Sequence, residues 1–202
     1  TLWKNFAELD IKEGDIILTS SMFLDLLKNR RSIRKYTDEP IPDEIINKLL
    51  TAALMSPSSK RTNGWEFVVV KDKQMLSNLS NSREVGSQIL AGAAAGIVVC
   101  ADPTKTDVWF CDASIAALII QLEAADLGLG SCWVQIYKRD HVVEENGEKK
   151  VDMTSGEYVK KLLNIPDNLE VMNIVSLGYK NEERKPYDEA KLLYDKIHRE
   201  KY

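Results

Sequence analysis

The spacing of apolar residues along the chain alternates between a helical period and the dense runs that are typical of strands. From Ser21 onward, apolar residues recur at steps of three and four, which predicts a short helix capped by Ser20 or Ser21. A second amphipathic helix is predicted to begin near Pro42 and to end before Pro57. The run WEFVVV at 65–70 is rich in aromatic and β-branched residues, and it predicts a strand covered on both faces.

The longest predicted helix follows a second apolar strand. This strand is expected at 97–101 and the helix at about 107–127. Gly128 is expected to end the helix as a C-terminal cap in the left-handed conformation. Because amphipathic helices bury their large apolar residues, we expect one set to face the core: Ile115, Leu118, Ile119, Leu122 and Ala125.

The remainder of the chain indicates the fold class. Further strands are predicted at 131–136 and 171–177, and the polar stretch 140–151 between them is predicted to be a solvated hairpin or flap. Strands that alternate irregularly with helices favour an α+β domain over a doubly wound one. The weakly patterned residues 1–20 are interpreted as an arm, and residues 21–202 as a single domain.

Composition excludes several classes of function. The 202 residues contain 31 acidic and 27 basic side chains, a net charge of −4, which disfavours a broad nucleic-acid or membrane surface. The longest apolar run, at 89–101, is 13 residues, whereas a membrane span needs about 20. Three cysteines without a CxxC pair favour a reducing, cytoplasmic compartment, and two distant histidines make a zinc site unexpected.

Basic residues are concentrated in one stretch of this acidic protein. Residues 28–36, KNRRSIRKY, contain five basic residues beside a serine. The stretch is either a solvated helix end or a phosphate site, because arginine forks and a hydroxyl donate well to phosphate. The acidic character of the whole chain argues against DNA binding.

Three other stretches have both a structural and a ligand-binding interpretation. The loop 56–65, SPSSKRTNGW, is either an ordinary helix-to-strand connection or a set of polar partners for a planar heterocycle. Residues 128–136, GLGSCWVQI, do not fit a dinucleotide fingerprint, because they follow a helix and Trp133 stands at the third glycine position. A strand whose glycines allow a ligand to approach its N–H groups is the alternative. Residues 178–186 are either a solvated tail or a further basic contact.

Taken in order, these stretches resemble the FMN-dependent nitroreductase family from about Met22 to the C-terminus. The shared elements are Arg-x-Ser-x-Arg at 30–34, a Pro-Ser loop eight residues ahead of Trp65, the acidic Asp112 near the start of the long helix, Gly-Leu-Gly-Ser-x-Trp at 128–133, and Gly-Tyr followed by basic residues at 178–185. The resemblance implies an α+β fold, with a central, mostly antiparallel sheet flanked by helices. It also implies an intertwined homodimer with two FMN sites at the interface.

The resemblance implies an enzyme whose chemistry is carried by flavin N5, without a catalytic side chain or a metal. NAD(P)H would donate hydride, and a small nitroaromatic or quinone acceptor would take the same place in a ping-pong cycle. The alternatives are a flavin reductase with a dedicated substrate, such as a dehalogenase or enone reductase, and a non-catalytic flavin-binding module. Cys132 is interpreted as a small strand residue, since no nearby histidine would activate its thiol.

The resemblance also implies a set of cofactor-binding residues: Arg30, Arg31, Ser32, Arg34, Pro57, Ser58, Ser59, Arg61, Asn63, Trp133, Val134, Gln135, Arg184 and Lys185. The arginines and Ser32 would hold the phosphate and ribityl chain, the Pro-Ser loop would come from the partner subunit, and the backbone N–H near Gln135 would donate toward N5. Arg31 is expected to point away from its neighbours. Arg61 departs from the family pattern and lies either near the pyrimidine end of the flavin or in solvent.

Overall fold

A four-stranded antiparallel sheet organises the protein. The computed structural model describes residues 21–202, and the predicted arm, residues 1–20, lies outside them. The strands are β1 (Trp65–Val70), β2 (Ala95–Ala101), β3 (Gly130–Gln135), β4 (Asp140–Glu145), β5 (Glu148–Thr154) and β6 (Glu170–Gly178). The sheet has the order β1-β2-β6-β3, while β4 and β5 form the predicted hairpin. All of these pairs are antiparallel, which confirms the predicted α+β fold class.

Helices cover both faces of the sheet. They are α1 (Met22–Asn29), α2 (Asp43–Leu54), α3 (Lys73–Leu79), α4 (Trp109–Asp126) and α5 (Ser155–Leu163). Because side chains alternate along a strand, β2 sends Ile97 and Val99 to the layer of α2 and α4 and Val98 to the layer of α3 and α5. The two faces of the sheet therefore belong to two separate hydrophobic cores. In the described residues, 21–202, no helix has the length and apolar character needed to cross a membrane.

The prediction for the buried face of α4 was wrong. Ile115 and Leu118 are 38% and 46% exposed, and the other residues named for that face are only partly buried. Instead, small residues face the sheet, including Ala113, Ala117 and Ala124, which are fully buried. Small side chains let the helix approach the strands closely, and Ile120 is buried with them, whereas Phe110, Ile115 and Leu118 point outward. In a helix that is apolar nearly all round, spacing alone does not indicate which face is buried.

The segment after α1 lies across one end of the sheet. The Ile33 N–H donates to the Ser131 carbonyl at 3.0 Å, and the Thr37 N–H donates to the Tyr179 carbonyl at 2.9 Å. This segment contains the arginines of the basic stretch, so these contacts place them beside the ends of β3 and β6.

Candidate functional site

A cavity of about 960 Å³ lies where the segment after α1 meets the segment after β6. Its cationic lining residues are Arg30, Arg31, Lys180, Arg184 and Lys185. Glu182 and Glu183 also line it, as does Ser131 of β3. Two parts of the sequence that are about 150 residues apart thus supply one basic pocket, which matches the requirements of a bound anion.

Two glycines allow the arginine segment to lie against the sheet. Gly130 and Gly178 are paired in register on β3 and β6. A Cβ on Gly130 would come within 2.7 Å of Ile33, and one on Gly178 within 2.6 Å of Tyr36. The sequence suggested that these glycines let a ligand approach the strand. At Gly130, the group that approaches closely is instead the Ile33 side chain of the same chain.

Tyr36 anchors the same segment through its hydroxyl. The Tyr36 hydroxyl donates to the Ile33 carbonyl at 2.6 Å and lies 2.8 Å from the Ser176 Oγ. Burial raises the pKa of Tyr36 well above its usual value, so the phenol stays protonated. Tyr36 is therefore a structural residue of the site.

Arg31 differs from the expectation that it would point away from its neighbours. It lines the same cavity as Arg30. Its guanidinium donates to the Lys185 carbonyl and lies 4.5 Å from the ring centre of Tyr187. The segment after β6 passes over Arg31, a tertiary contact that local alternation of side chains could not reveal.

Glu182 connects the two sides of the cavity. Its carboxylate accepts hydrogen bonds from the backbone N–H groups of Arg34 and Lys35, and it pairs with Arg184 at 2.7 Å. The Arg34 N–H bond is the main cause that lowers the pKa of Glu182, and the Arg184 charge adds to it. Glu182 therefore remains ionised and fixes one guanidinium of the cavity.

Ser32 and Arg34 lie next to the cavity in sequence but do not line it. Ser32 forms an isolated parallel β-bridge with Ser131 of β3, whereas Arg34 is exposed. Burial raises the pKa of the Cys132 thiol, and nearby Arg34 only partly offsets this effect. A thiol with a raised pKa is a poor nucleophile, which supports the interpretation of Cys132 as a small strand residue.

The outer edge of β3 presents backbone groups that β6 does not use. Ser131 and Gln135 accept hydrogen bonds on their carbonyls from outside the sheet, at 3.0 Å from Ile33 and 3.2 Å from Arg83. Because the N–H and C=O of a strand residue point to the same side, the N–H of Gln135 also faces this edge. The edge therefore offers an N–H donor where the sequence predicted one.

On β3, the side chains of Trp133 and Gln135 form hydrogen bonds, whereas the side chain of Val134 lies in the core. The Trp133 Nε1–H donates to the Gln135 Oε1 at 2.8 Å, and the Gln135 Nε2–H donates to the Tyr137 carbonyl at 2.9 Å. Both Trp133 and Gln135 are half-buried. Val134 is fully buried in the core, so its side chain does not face this edge.

The Pro-Ser loop is folded on itself and lies apart from the basic cavity. The Ser58 Oγ–H donates to the Asn63 Oδ1 at 2.7 Å, and the Asn63 N–H donates back to that hydroxyl at 3.0 Å. The Ser59 N–H donates to the Asp112 Oδ1 at 2.9 Å. Pro57 and Arg61 are exposed. None of these loop residues lines the 960 Å³ cavity of the same chain.

Several buried polar atoms near the loop have no hydrogen-bond partner among residues 21–202. They include the Asp112 Oδ2, the Trp65 Nε1 and the Thr62 Oγ1. Leaving a buried polar atom unpaired costs about 1 to 3 kcal/mol, so such atoms identify places where another molecule can supply a partner. Within residues 21–202 there is no cluster of three or more metal-ligating side chains.

Comparison with known proteins identifies the family. The model of the nitroreductase family matches residues 27–84 and 72–179. The chain belongs to the nitroreductase family. It is 39% identical over 184 residues to a protein of Archaeoglobus fulgidus described provisionally as an NADH dehydrogenase/NAD(P)H nitroreductase, covering 89% of this chain and 98% of that protein. This membership confirms the resemblance and makes the protein an oxidoreductase.

Two further relatives of this nitroreductase-family chain bear on its fold and activity. The solved structure of an FMN-dependent nitroreductase from Clostridium difficile is 43% identical, with a TM-score of 0.82, and the match covers 89% of this chain and 99% of that chain. An iodotyrosine deiodinase of Nematostella vectensis is 24% identical over 225 residues, covering 93% of this chain and 80% of that protein.

Sequence reasoning missed Glu182, Tyr36 and Gly178 as residues of the site. Glu182 and Tyr36 gave no local signal, because their roles depend on contacts between segments about 140 residues apart. Gly178 was named only as part of the Gly-Tyr element, without a structural role. Gly130 begins β3 and Gly178 ends the antiparallel neighbour β6, so the two glycines are paired.

Proposed function

We propose that the protein is an FMN-dependent oxidoreductase that uses NAD(P)H to reduce small electrophilic acceptors, such as nitroaromatics and quinones. The observation that carries this proposal is the basic cavity at one end of β3, followed along the same strand by an outer edge toward which the N–H of Gln135 points. An anion site and a donor edge on one strand fit a cofactor with a phosphate at one end and a flat heterocycle at the other.

The residues of the basic cavity fit the phosphate of FMN. Arg30 and Lys185 have no ion-pair partner among residues 21–202, so their charges are available to a ligand. Arg184 is oriented by Glu182, and Arg31 adds a further guanidinium. Charge-assisted donors of this kind contribute roughly 1.5 to 3 kcal/mol each to phosphate binding.

The donor edge fits the heterocyclic end. Gln135 lies four residues along β3 from Ser131, or about 13 Å at 3.3 Å per residue. The N–H of Gln135 would donate to the flavin, while Trp133 borders it. When bound, FMN supplies the redox chemistry by accepting hydride from NAD(P)H and delivering it to the acceptor at one shared site. The chain binds and orients the three molecules and needs no acid or base of its own.

A homodimer would complete the site. On α4, Phe110, Ile115 and Leu118 are 41%, 38% and 46% exposed, and α1 adds exposed Met22 and Phe23. A contiguous apolar surface of this kind is typical of an interface. A second copy packed on it would bring its own Pro-Ser loop, Pro57 to Ser59, toward the flavin.

The three cysteines are free thiols, which supports a reducing, cytoplasmic location.

The test begins with the cofactor. The visible spectrum of the purified protein is recorded, and the cofactor is released by heat and identified by chromatography. FMN is expected, whereas FAD, or no flavin after reconstitution with FMN, would contradict the proposal. Oxidation of NADH and NADPH is then followed with a nitroaromatic acceptor. A flavin-binding module without catalytic activity would bind FMN but would oxidise neither NADH nor NADPH.

Reductive dehalogenation is a second candidate, favoured by the likeness to the Nematostella deiodinase over nearly the whole chain. The same cavity and strand edge would hold the flavin, and a halogenated aromatic would take the place of the nitroaromatic. Release of iodide from iodotyrosine by the reduced protein is the discriminating measurement. Iodide release faster than nitroaromatic reduction would favour the dehalogenase.

A further inference from the structure

A second cavity, of about 410 Å³, lies beside the β4–β5 hairpin, near the Gln135 end of β3. Among the residues that line it are Arg83, Glu84, His141 and Lys149. Arg83 connects this cavity to the site, because its Nη1–H donates to the Gln135 carbonyl at 3.2 Å. The carbonyl and the N–H proposed to meet the flavin belong to the same residue.

Arg83 is held in place by the turn that carries it. Its N–H donates to the Ser87 Oγ at 3.1 Å, and its carbonyl accepts from the Gln88 Nε2 at 3.2 Å. Its guanidinium lies over Gly86, where an added Cβ would be 3.4 Å from the Arg83 Nη1. The turn therefore fixes the backbone of Arg83, and the bond to the Gln135 carbonyl holds its guanidinium.

The charge of Arg83 is not neutralised within the described chain. A guanidinium has five N–H donors, and within residues 21–202 the Arg83 guanidinium forms only one hydrogen bond and no ion pair. Two carboxylates line the cavity with Arg83: Glu84 pairs with Lys149 at 2.8 Å instead, and Glu144 forms no ion pair with Arg83. Burial lowers the pKa of Arg83, and Arg139 lowers it further, so this cation is partly desolvated and faces a second positive charge. A partly buried cation without a counter-charge favours an anionic ligand.

We propose that Arg83 positions the electron acceptor by binding a carboxylate on it, so that the preferred acceptors are electrophilic aromatics carrying a carboxylate. This inference rests on the proposed function. The flavin phosphate is not a candidate for this cation, because the basic cavity lies at the Ser131 end of β3, about 13 Å away. The 2′-phosphate of NADPH is not one either, because it lies at the opposite end of that molecule from the reacting nicotinamide.

The geometry suits a carboxylate in particular. The Gln135 carbonyl occupies one edge of the Arg83 guanidinium and leaves the other N–H groups for the cavity. A planar guanidinium donates to a carboxylate through two parallel hydrogen bonds, which a lysine ammonium does not reproduce. The carboxylate would then hold the aromatic ring of the acceptor beside the strand edge.

The test compares two acceptors that differ in charge: 4-nitrobenzoate and its neutral methyl ester. With Arg83→Gln, kcat/KM for 4-nitrobenzoate should fall by roughly ten- to a hundredfold, mainly through KM, while that for the ester changes less than about threefold. Arg83→Lys should restore only part of the loss. FMN affinity, measured by fluorescence titration of the apoprotein, should not change in either variant.

Lys150→Gln is the matched control, because Lys150 lies on the same hairpin but is exposed, pairs with Glu145 and does not line the cavity. It should leave both acceptors unaffected. An equal loss for Lys150→Gln would mean that Arg83 acts only through the net charge of this surface, which contradicts the proposal. Equal losses for the acid and the ester, or a loss of FMN affinity in Arg83→Gln, would contradict it too, since Arg83 would then act on the fold or the cofactor.

A direct binding measurement separates this inference from the proposed activity. 4-Nitrobenzoate is titrated into the oxidised, FMN-loaded protein and followed by the change in the flavin absorption spectrum, without NAD(P)H. The wild type should bind the acid at least tenfold more tightly than Arg83→Gln does, even if no turnover occurs. Failure to hold FMN would contradict the proposed function, whereas equal binding by the wild type and the variant would contradict the role of Arg83 alone.

Discussion

The ring of Tyr36 lies directly over Gly178, where an added Cβ would be 2.6 to 2.7 Å from three carbons of the tyrosine. The Tyr36 hydroxyl is also fixed, at 2.8 Å from the Ser176 Oγ. This contact joins the segment that carries the arginines to the strand that leads into Arg184 and Lys185. The arginine segment and the segment after β6 can therefore meet at the cavity only because residue 178 has no side chain.

Gly178→Ala should destabilise the protein and weaken FMN binding together. The added methyl group must displace Tyr36, and overpacking of this kind costs typically about 1 to 3 kcal/mol. Displacement of Tyr36 would move the attached arginine segment away from the cavity. Denaturant unfolding measures the first effect, and fluorescence titration with FMN measures the second.

Gly92→Ala is the control for this prediction, because a Cβ at Gly92 would meet nothing within 4 Å. Its free energy of unfolding should lie within about 0.5 kcal/mol of the wild type. Equal effects of the two substitutions would show that the Tyr36 contact does not position the cavity.

Arg30→Ala should weaken FMN binding more than Arg31→Ala does. The Arg30 side chain lines the cavity without a hydrogen bond or ion pair to residues 21–202, whereas the Arg31 guanidinium is already engaged by the Lys185 carbonyl and the Tyr187 ring. The loss for Arg30→Ala should be roughly ten- to a hundredfold in affinity. Titration of the apoproteins with FMN measures both variants.

Arg199→Ala serves as the control for a general loss of positive charge, since Arg199 is exposed and does not line the cavity. It should bind FMN as the wild type does. If Arg30→Ala, Arg31→Ala and Arg199→Ala all lost the same affinity, the cluster would act only through its net charge.

Leu118→Arg should convert the proposed homodimer to a monomer. Leu118 is 46% exposed on the outer face of α4, and a charge buried in an apolar interface has no partner there. Light scattering across a dilution series measures the mass, and FMN affinity should fall with it, because each site would lose the loop of the second copy. Val151→Arg on the exposed hairpin, where Val151 is 60% exposed, should remain dimeric. A monomeric wild type that still binds FMN tightly would contradict the proposal.

The strands and the long helices could be predicted from sequence because their signals are local. β1 was predicted with its exact bounds, and α2 and the left-handed end at Gly128 agree with the structure. The seven-residue α3 was missed because it is too short to show a period. The helix α5 was also missed, although Thr154 and Glu157 form a capping box whose spacing is visible in the sequence.

The site was predictable only where a motif carried it. The resemblance selected Arg30, Arg184 and Lys185, and the structure brings these residues into one cavity. The residues that join its two sides could not be selected, because Glu182 acts through backbone N–H groups 147 and 148 positions away. The face of α4 was wrong for a related physical reason: a helix that is apolar on every side can bury one face in its own chain and another in a second copy.

Glu182→Gln should reduce stability at neutral pH by about 1 to 2 kcal/mol, because hydrogen bonds to an ionised carboxylate are stronger than those to an amide. The carboxylate accepts from the Arg34 and Lys35 N–H groups and pairs with Arg184 at 2.7 Å, and its side chain is only 13% exposed. These contacts lower its pKa in the folded state from the ordinary 4.5. A carboxyl whose pKa is lower in the folded state stabilises the fold fully above its unfolded pKa, and loses that contribution as the pH falls through the folded pKa.

The difference in unfolding free energy between the wild type and Glu182→Gln should therefore be constant from about pH 7 to pH 5 and shrink below about pH 4.5. Urea unfolding at a series of pH values measures it. Glu183→Gln is the control, because Glu183 is exposed and forms no ion pair among residues 21–202, so its unfolding curve should follow the wild type at every pH. A Glu182→Gln difference that stayed the same down to pH 3 would mean that the carboxylate charge does not hold the two sides of the cavity together. Loss of FMN affinity in Glu182→Gln but not in Glu183→Gln would show in addition that the carboxylate orients Arg184 toward the phosphate.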